Sequence, residues 1–194
     1  MSVSVRGCHS NHTFIQGEMT MFLRTWRFMT IILAALSTGM SFCHTLELPA
    51  KMSYDGALWT TINQSLYQSF GTVGGILELG SIFAAVVLAF LVRQRHLTLQ
   101  WTLTGTVFLA LALVVWLVFV APMNAEFSQW TVGLLPENWT RVRNQWEYAH
   151  ATRFVLHFIG LSALVISVLR ETPTARSRDR VEQPYAILEG RTRR

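Results

Sequence analysis

The run T-L-T-G-T-V-F-L-A-L-A-L-V-V-W-L-V-F-V-A at residues 102–121 decides the fold, because it contains no charged side chain. Twenty helical residues rise about 30 Å, which matches the hydrocarbon thickness of a bilayer. Working outward, three further apolar runs reach spanning length. The four expected spans are residues 28–46, 71–92, 99–121 and 151–169. Glu78, Arg153 and His157 interrupt two of these runs, and a charge inside a span marks a functional position more often than a failed span. The composition agrees: 51% of the 194 residues are hydrophobic and only 14% charged, against about 25% charged in a soluble domain. Twelve Phe and seven Trp exclude a disordered chain. Cys8 and Cys43, the two cysteines, exclude a disulfide framework and a cysteine-based zinc site. The fold class is therefore all-α, a four-transmembrane-helix bundle.

Residues 1–23 read as a polar leader without regular structure, with Met19 or Met21 as alternative starts. Residues 24–170 form the membrane domain, and residues 171–194 a basic tail. A cleaved signal peptide is disfavoured because no small-x-small site follows the first apolar run. Twelve of the sixteen Lys and Arg fall in the N-terminal segment, the Arg93–Arg95 loop and the tail from Arg170. The excess of positive charge predicts both termini in the cytoplasm, with segments 47–70 and 122–150 outside. The formal net charge of +5 reports this topology and not nucleic-acid binding, since Arg176, Arg178 and Arg180 alternate with Ser and Asp. Membrane lipid and a small aromatic or hydrophobic ligand are the expected partners. Nothing in the pattern specifies an oligomeric state.

The first outer segment places Leu58, Trp59, Ile62, Leu66 and Phe70 at helical spacing, with Tyr67 beside them. It predicts a short helix lying at the membrane interface. From Glu137 to Ile159 no Gly or Pro intervenes, so the last helix should start outside the bilayer. Gly71, Gly74, Gly75 and Gly80 follow no strand, so they read as helix-packing positions and not a phosphate loop.

Hydrocarbon satisfies no polar group, so polar residues of the spans should converge inside the bundle. Trp139, Arg143, Trp146, His150, Arg153 and His157 make one stripe on the last helix at spacings of three and four. His44-x-x-Glu47 and Glu147-x-x-His150 each set two polar residues on one helix face. Glu78 lies seven residues inside the second span, and His157 seven residues beyond His150, both roughly 10 Å deep. Glu78 and His157 should therefore meet beneath a shallower layer of His44, Glu47, Asn124, His150 and Arg153. Two chemistries fit such a cavity. A carboxylate-bridged metal could use His44, Glu47, Glu147 and His150, although one Glu-x-x-His pair is reversed. A metal-free acid–base pocket needs only a tuned side chain beside an aromatic wall. The structural alternative is that these residues seal helix ends by hydrogen bonding.

Ala121-Pro122-Met123-Asn124, Trp139, and Trp146-Glu-Tyr-Ala-His150-Ala-Thr-Arg153, with Gly39, His44 and Pro49 on the first helix, resemble a known pattern. The chain is similar to the small four-helix membrane proteins that include fungal anthrone oxygenases, a family otherwise known as a domain of unknown function. The resemblance implies an oxidoreductase that inserts oxygen into polyketide anthrones without a conventional cofactor; whether a metal is bound is left open. A base and an anion-stabilising pocket suffice if the substrate carbanion or phenolate reduces oxygen directly. On that reading His150 is the base, with Arg153 and Asn124 holding the anion and His44 assisting. Trp146, Glu47, Glu78, His157 and Arg143 would bind substrate. The alternative function is a non-enzymatic membrane protein that binds a lipid or quinone-like ligand or supports a partner.

Overall fold

A computed structural model of the chain describes residues 7–171, and these are almost entirely helical. Helix α1 spans Gly7–Ser53, α2 Gly56–Ser65 and α3 Gln68–Leu91. Helix α4 spans His96–Val115, and a π turn over Trp116–Val120 joins it to α5, Ala121–Phe127. Helix α6 spans Trp139–Leu169. Four stretches are long and apolar enough to cross a membrane: Met21–Ser53, Ser69–Leu91, His96–Phe127 and Trp139–Leu169. The protein is an integral membrane protein built as an all-α four-helix bundle.

Every span extends past its apolar run. Helix α1 begins at Gly7, so residues 7–23 are helical where composition suggested an unpatterned leader. Once a helix is nucleated by a long span, adding residues costs little. The same helix continues through Pro49 to Ser53. Residues 1–6 of the leader and 172–194 of the tail lie outside the described residues.

The third span holds the largest departure. Pro122 has no N–H to donate, and the chain answers with the π turn, in which the Ala121 N–H bonds the Trp116 carbonyl. The helix then continues to Phe127, well past its expected end. One extra residue in a turn rotates everything beyond it by about 100°, which sets the orientation of Asn124 and Phe127.

Close helix packing occurs at Gly105 and Gly160. A Cβ at Gly105 would lie 2.7 Å from Leu164 Cγ and 2.9 Å from the Gly160 carbonyl oxygen. These two glycines let α4 and α6 touch backbone to backbone, as small residues do in membranes. By contrast, a Cβ at Gly71 or Gly75 would meet nothing within 4 Å. The glycines of α3 read as packing positions do not all serve packing; these two border open space.

Two apolar clusters hold the bundle. Ala34, Ala85, Leu109 and Leu164 fill its middle. Trp59, Val120, Met123, Phe127, Val142, Trp146 and Ala149 fill the end where α2 sits. At the opposite end Thr102 Oγ1 and Ser167 Oγ lie 2.7 Å apart, and Glu171 accepts from Arg27 Nη2 at 2.5 Å and from Arg95.

Candidate active site

A cavity of about 830 Å³ lies between the helices at the α2 end. Helix α1 contributes Ser41 and His44, α3 contributes Glu78, and α6 contributes Trp146, His150, Arg153 and His157. The stripe on α6 thus forms one wall because residues three and four apart share a helix face. Asn124 and Phe127 reach the cavity from α5.

Glu78 and His157 meet as their matched depth predicts, with His157 Nε2 and Glu78 Oε1 3.2 Å apart. Arg153 belongs to this deeper layer and not the shallower one: its Nη2 donates to Glu78 Oε2 at 2.6 Å. The reason is charge. A buried guanidinium without a counter-ion is costly, and Glu78 offers one within reach. Arg153 also donates through Nε to the Ala112 carbonyl at 3.3 Å and through Nη1 to His150 Nδ1 at 3.2 Å.

These contacts set protonation states in sequence. A guanidinium has no acceptor, so His150 Nδ1 must accept, and the neutral ring then carries its proton on Nε2. Glu78, paired with Arg153, accepts from His157 Nε2–H. His157 Nδ1 lies 2.8 Å from Ser41 Oγ, and in the neutral ring it accepts a hydrogen bond from that hydroxyl. Ser41, His157, Glu78, Arg153 and His150 form one hydrogen-bonded network, in which Glu78 accepts from both His157 and Arg153 and Arg153 donates to both Glu78 and His150. The His150 Nε2 is buried with no hydrogen-bond partner among the described residues. With its Nδ1 lone pair taken up by Arg153, His150 has an N–H and no free lone pair to offer a ligand.

His44 is differently placed. Its ring centroid lies 4.1 Å from that of His150 and 4.8 Å from that of Tyr67. Trp146 meets it edge-on at 5.1 Å. Its Nδ1 is buried with no partner, and no described residue donates to it. No contact fixes the tautomer of His44, so either of its ring nitrogens can carry the lone pair. The two imidazoles are only 6% and 5% exposed, so they meet a ligand only through the cavity.

The carboxylates of the two i, i+3 pairs turn away. Glu147 Oε1 accepts from Trp59 Nε1 at 2.9 Å and lies 3.8 Å from Lys51 Nζ. Glu47 accepts from the Tyr67 hydroxyl and lies 3.1 Å from Lys51 Nζ. Burial, and then the bond to Glu47, push the Tyr67 phenol well above its ordinary range, so it stays protonated. Three residues along a helix are 60° apart in projection, enough to send each His and Glu to opposite sides of Trp146. The set His44, Glu47, Glu147 and His150 is consequently not assembled as metal ligands. Among the described residues no group of three or more His, Cys, Asp or Glu could hold a metal ion.

Glu47 and Arg143 do not line the cavity, contrary to expectation. Arg143 caps the end of α1, bonding the Met52 carbonyl at 3.1 Å and the Tyr54 carbonyl at 3.4 Å. Its guanidinium also stacks 4.9 Å from the Trp139 ring centroid. Asn124 does line the cavity, and its Oδ1 accepts from Trp146 Nε1 at 2.7 Å, which leaves its amide N–H group for a ligand.

Four contributors escaped the sequence reading, Ser41 beside His157 being the first. Lys51 sits behind the aromatic wall, 3.9 Å from the Tyr67 centroid and 4.7 Å from that of Trp146. Its i, i+4 spacing from Glu47 was the available signal. Asn63 and Gln64 of α2 line the cavity from above, and no pattern of apolar residues could have shown them.

No protein-family model, curated protein or solved structure matches the chain.

Proposed function

We propose that the protein is an anthrone-oxygenase-like oxidoreductase acting on a hydroxylated aromatic or polyketide-type substrate. The observation that carries the reading is the juxtaposition of two imidazoles, His44 and His150, with ring centroids 4.1 Å apart and with His44 Nδ1 and His150 Nε2 both without a hydrogen-bond partner among the described residues. Both stand on an aromatic-walled cavity large enough for three fused rings. An anthrone has a CH2 flanked by two aryl rings, acidic enough for a positioned imidazole to deprotonate. His44 takes that proton, and the oxygen of the resulting anion accepts from His150 Nε2–H and from the Asn124 amide. Such preorganised donors act on charge as it develops. Dioxygen oxidises the anion to a carbon-bound hydroperoxide. Loss of water leaves the quinone carbonyl, so anthrone plus O2 gives anthraquinone plus H2O. The chain's residues supply a base, donors and a water-poor cavity, and no metal or organic cofactor is assigned.

Purified protein in vesicles should consume one O2 per anthrone converted, faster than vesicles without protein. An oxygen-electrode trace equal to the protein-free control would overturn the reading. The rival, a lipid- or quinone-binding protein, predicts saturable binding of the anthraquinone with no oxygen uptake.

Orientation is part of the proposal. The twelve-to-four division of Lys and Arg supports cytoplasmic termini and a cavity towards the exoplasmic face. In a background without Cys8 and Cys43, Asn138→Cys, exposed just before α6, should react with an impermeant maleimide in intact cells. Reaction only after permeabilisation would reverse the orientation.

A further inference from the structure

The cavity is roofed by α2, floored by charged side chains and open at one side. Above it lies α2, pinned by the Trp59–Glu147 bond and by Gln64 Nε2, which donates to the Phe127 carbonyl at 2.7 Å and the Trp130 carbonyl at 3.0 Å. Below it lie Glu78, Arg153 and His157. Helices α1 and α6 supply the polar walls. On the remaining side α3 offers Gly71, Gly74, Gly75 and Leu79, while α4 and the π turn offer Leu113 and Leu117. Leu79 and Leu117 line the cavity and yet are 58% and 54% exposed. Residues that face both inside and outside mark a mouth.

That mouth lies within the candidate spans Ser69–Leu91 and His96–Phe127. Its neighbours along the same helices, Ile76, Phe83, Val114 and Val118, are exposed and apolar. The medium at this level is therefore acyl chain and not water. A Cβ at Gly71 or Gly75 would meet only open space, so no side chain obstructs the passage there. The cavity is lined by His44 and His150, whose Nδ1 and Nε2 have no hydrogen-bond partner among the described residues.

The geometry points to a ligand that enters sideways from the bilayer through the Leu79–Leu117 mouth, and so to a lipid-dissolved planar aromatic that is neutral until bound. This rests on the functional reading above and narrows its substrate class. A neutral hydroxyaromatic partitions into hydrocarbon. Once deprotonated beside His150 it cannot leave the same way, because moving an unpaired anion into acyl chains is strongly unfavourable. The site thus holds its reactive anion and releases the neutral product.

The test uses the full chain in phosphatidylcholine vesicles with 1,8-dihydroxyanthraquinone as probe, its binding followed by quenching of tryptophan emission, since Trp116 and Trp146 line the cavity. Gly75→Phe should slow both uptake and release by about tenfold or more, with its thermal midpoint retained. Ile76→Phe, on the same helix but outside the cavity, should leave both rates unchanged. Equal rates in wild type and Gly75→Phe would overturn the lateral route, as would slowing by Ser128→Trp at the roofed end but not by Gly75→Phe. Failure of wild type to bind the probe would instead sink the aromatic-substrate reading. The route would then be judged with phospholipids brominated on their acyl chains. Loss of the Trp146 component of quenching in Gly75→Phe would sustain the mouth, and unchanged quenching would remove it.

Discussion

His44→Ala is expected to lower kcat for anthrone oxidation by about 10²–10⁴-fold, the range for removal of a positioned general base. The protein should still insert and fold, because His44 makes no hydrogen bond through its buried Nδ1 that the bundle would lose. His150→Ala should also cost about 10²-fold, but through a lost donor, as when one oxyanion-hole hydrogen bond is removed. Glutamine separates the two roles. At position 150 an amide N–H can replace the Nε2–H, so His150→Gln should regain a substantial part of the activity. At position 44 an amide cannot accept a proton, so His44→Gln should be as impaired as His44→Ala. Turnover per folded molecule and thermal midpoint should be measured on the same preparation. If both glutamine variants behave alike, the assignment of base and donor is wrong. If turnover stays near wild type while the midpoint falls, the two imidazoles are structural.

The spans were legible because four charge-poor runs of bilayer length leave little choice, and the Glu78–His157 contact followed from counting residues inward from two helix ends. Side-chain direction at the outer end was much less legible. Helix α2 illustrates why. Its apolar pattern suggested one face of Leu58, Trp59, Ile62, Leu66 and Phe70, yet the helix buries Trp59, Thr60 and Asn63 and leaves Leu58 and Leu66 exposed. In a membrane protein apolar residues suit both lipid and core, so hydrophobicity does not tell inside from outside. The π turn was invisible for another reason. Pro122 announces only that a backbone bond is missing, and a kink, a stop and a π turn all answer that. The proposed division of roles between His44 and His150 rests on one contact from Arg153, which no spacing rule contains.

Glu78→Ala should be the most destabilising single change in the membrane domain, by about 3–5 kcal/mol, because it leaves a buried cation without its counter-charge. Arg153 would keep only the Ala112 carbonyl and His150 Nδ1 as acceptors, and His157 would lose its Nε2 partner. The loss should appear in denaturant or thermal unfolding in detergent. Replacing both partners tests whether charge is the cause. A Glu78→Gln, Arg153→Met pair removes both charges together and should recover most of the stability, since exchanging a buried ion pair for neutral groups is often close to neutral. Activity should not return with it. Without Arg153 nothing holds the His150 lone pair on Nδ1, and the Nε2–H is no longer fixed towards the cavity. A double variant that is stable but slow would show that the ion pair serves to set the tautomer of His150 and not to hold the bundle together. A double variant that regains both would mean that His150 needs no such restraint, and the network from Ser41 to His150 would lose its functional meaning.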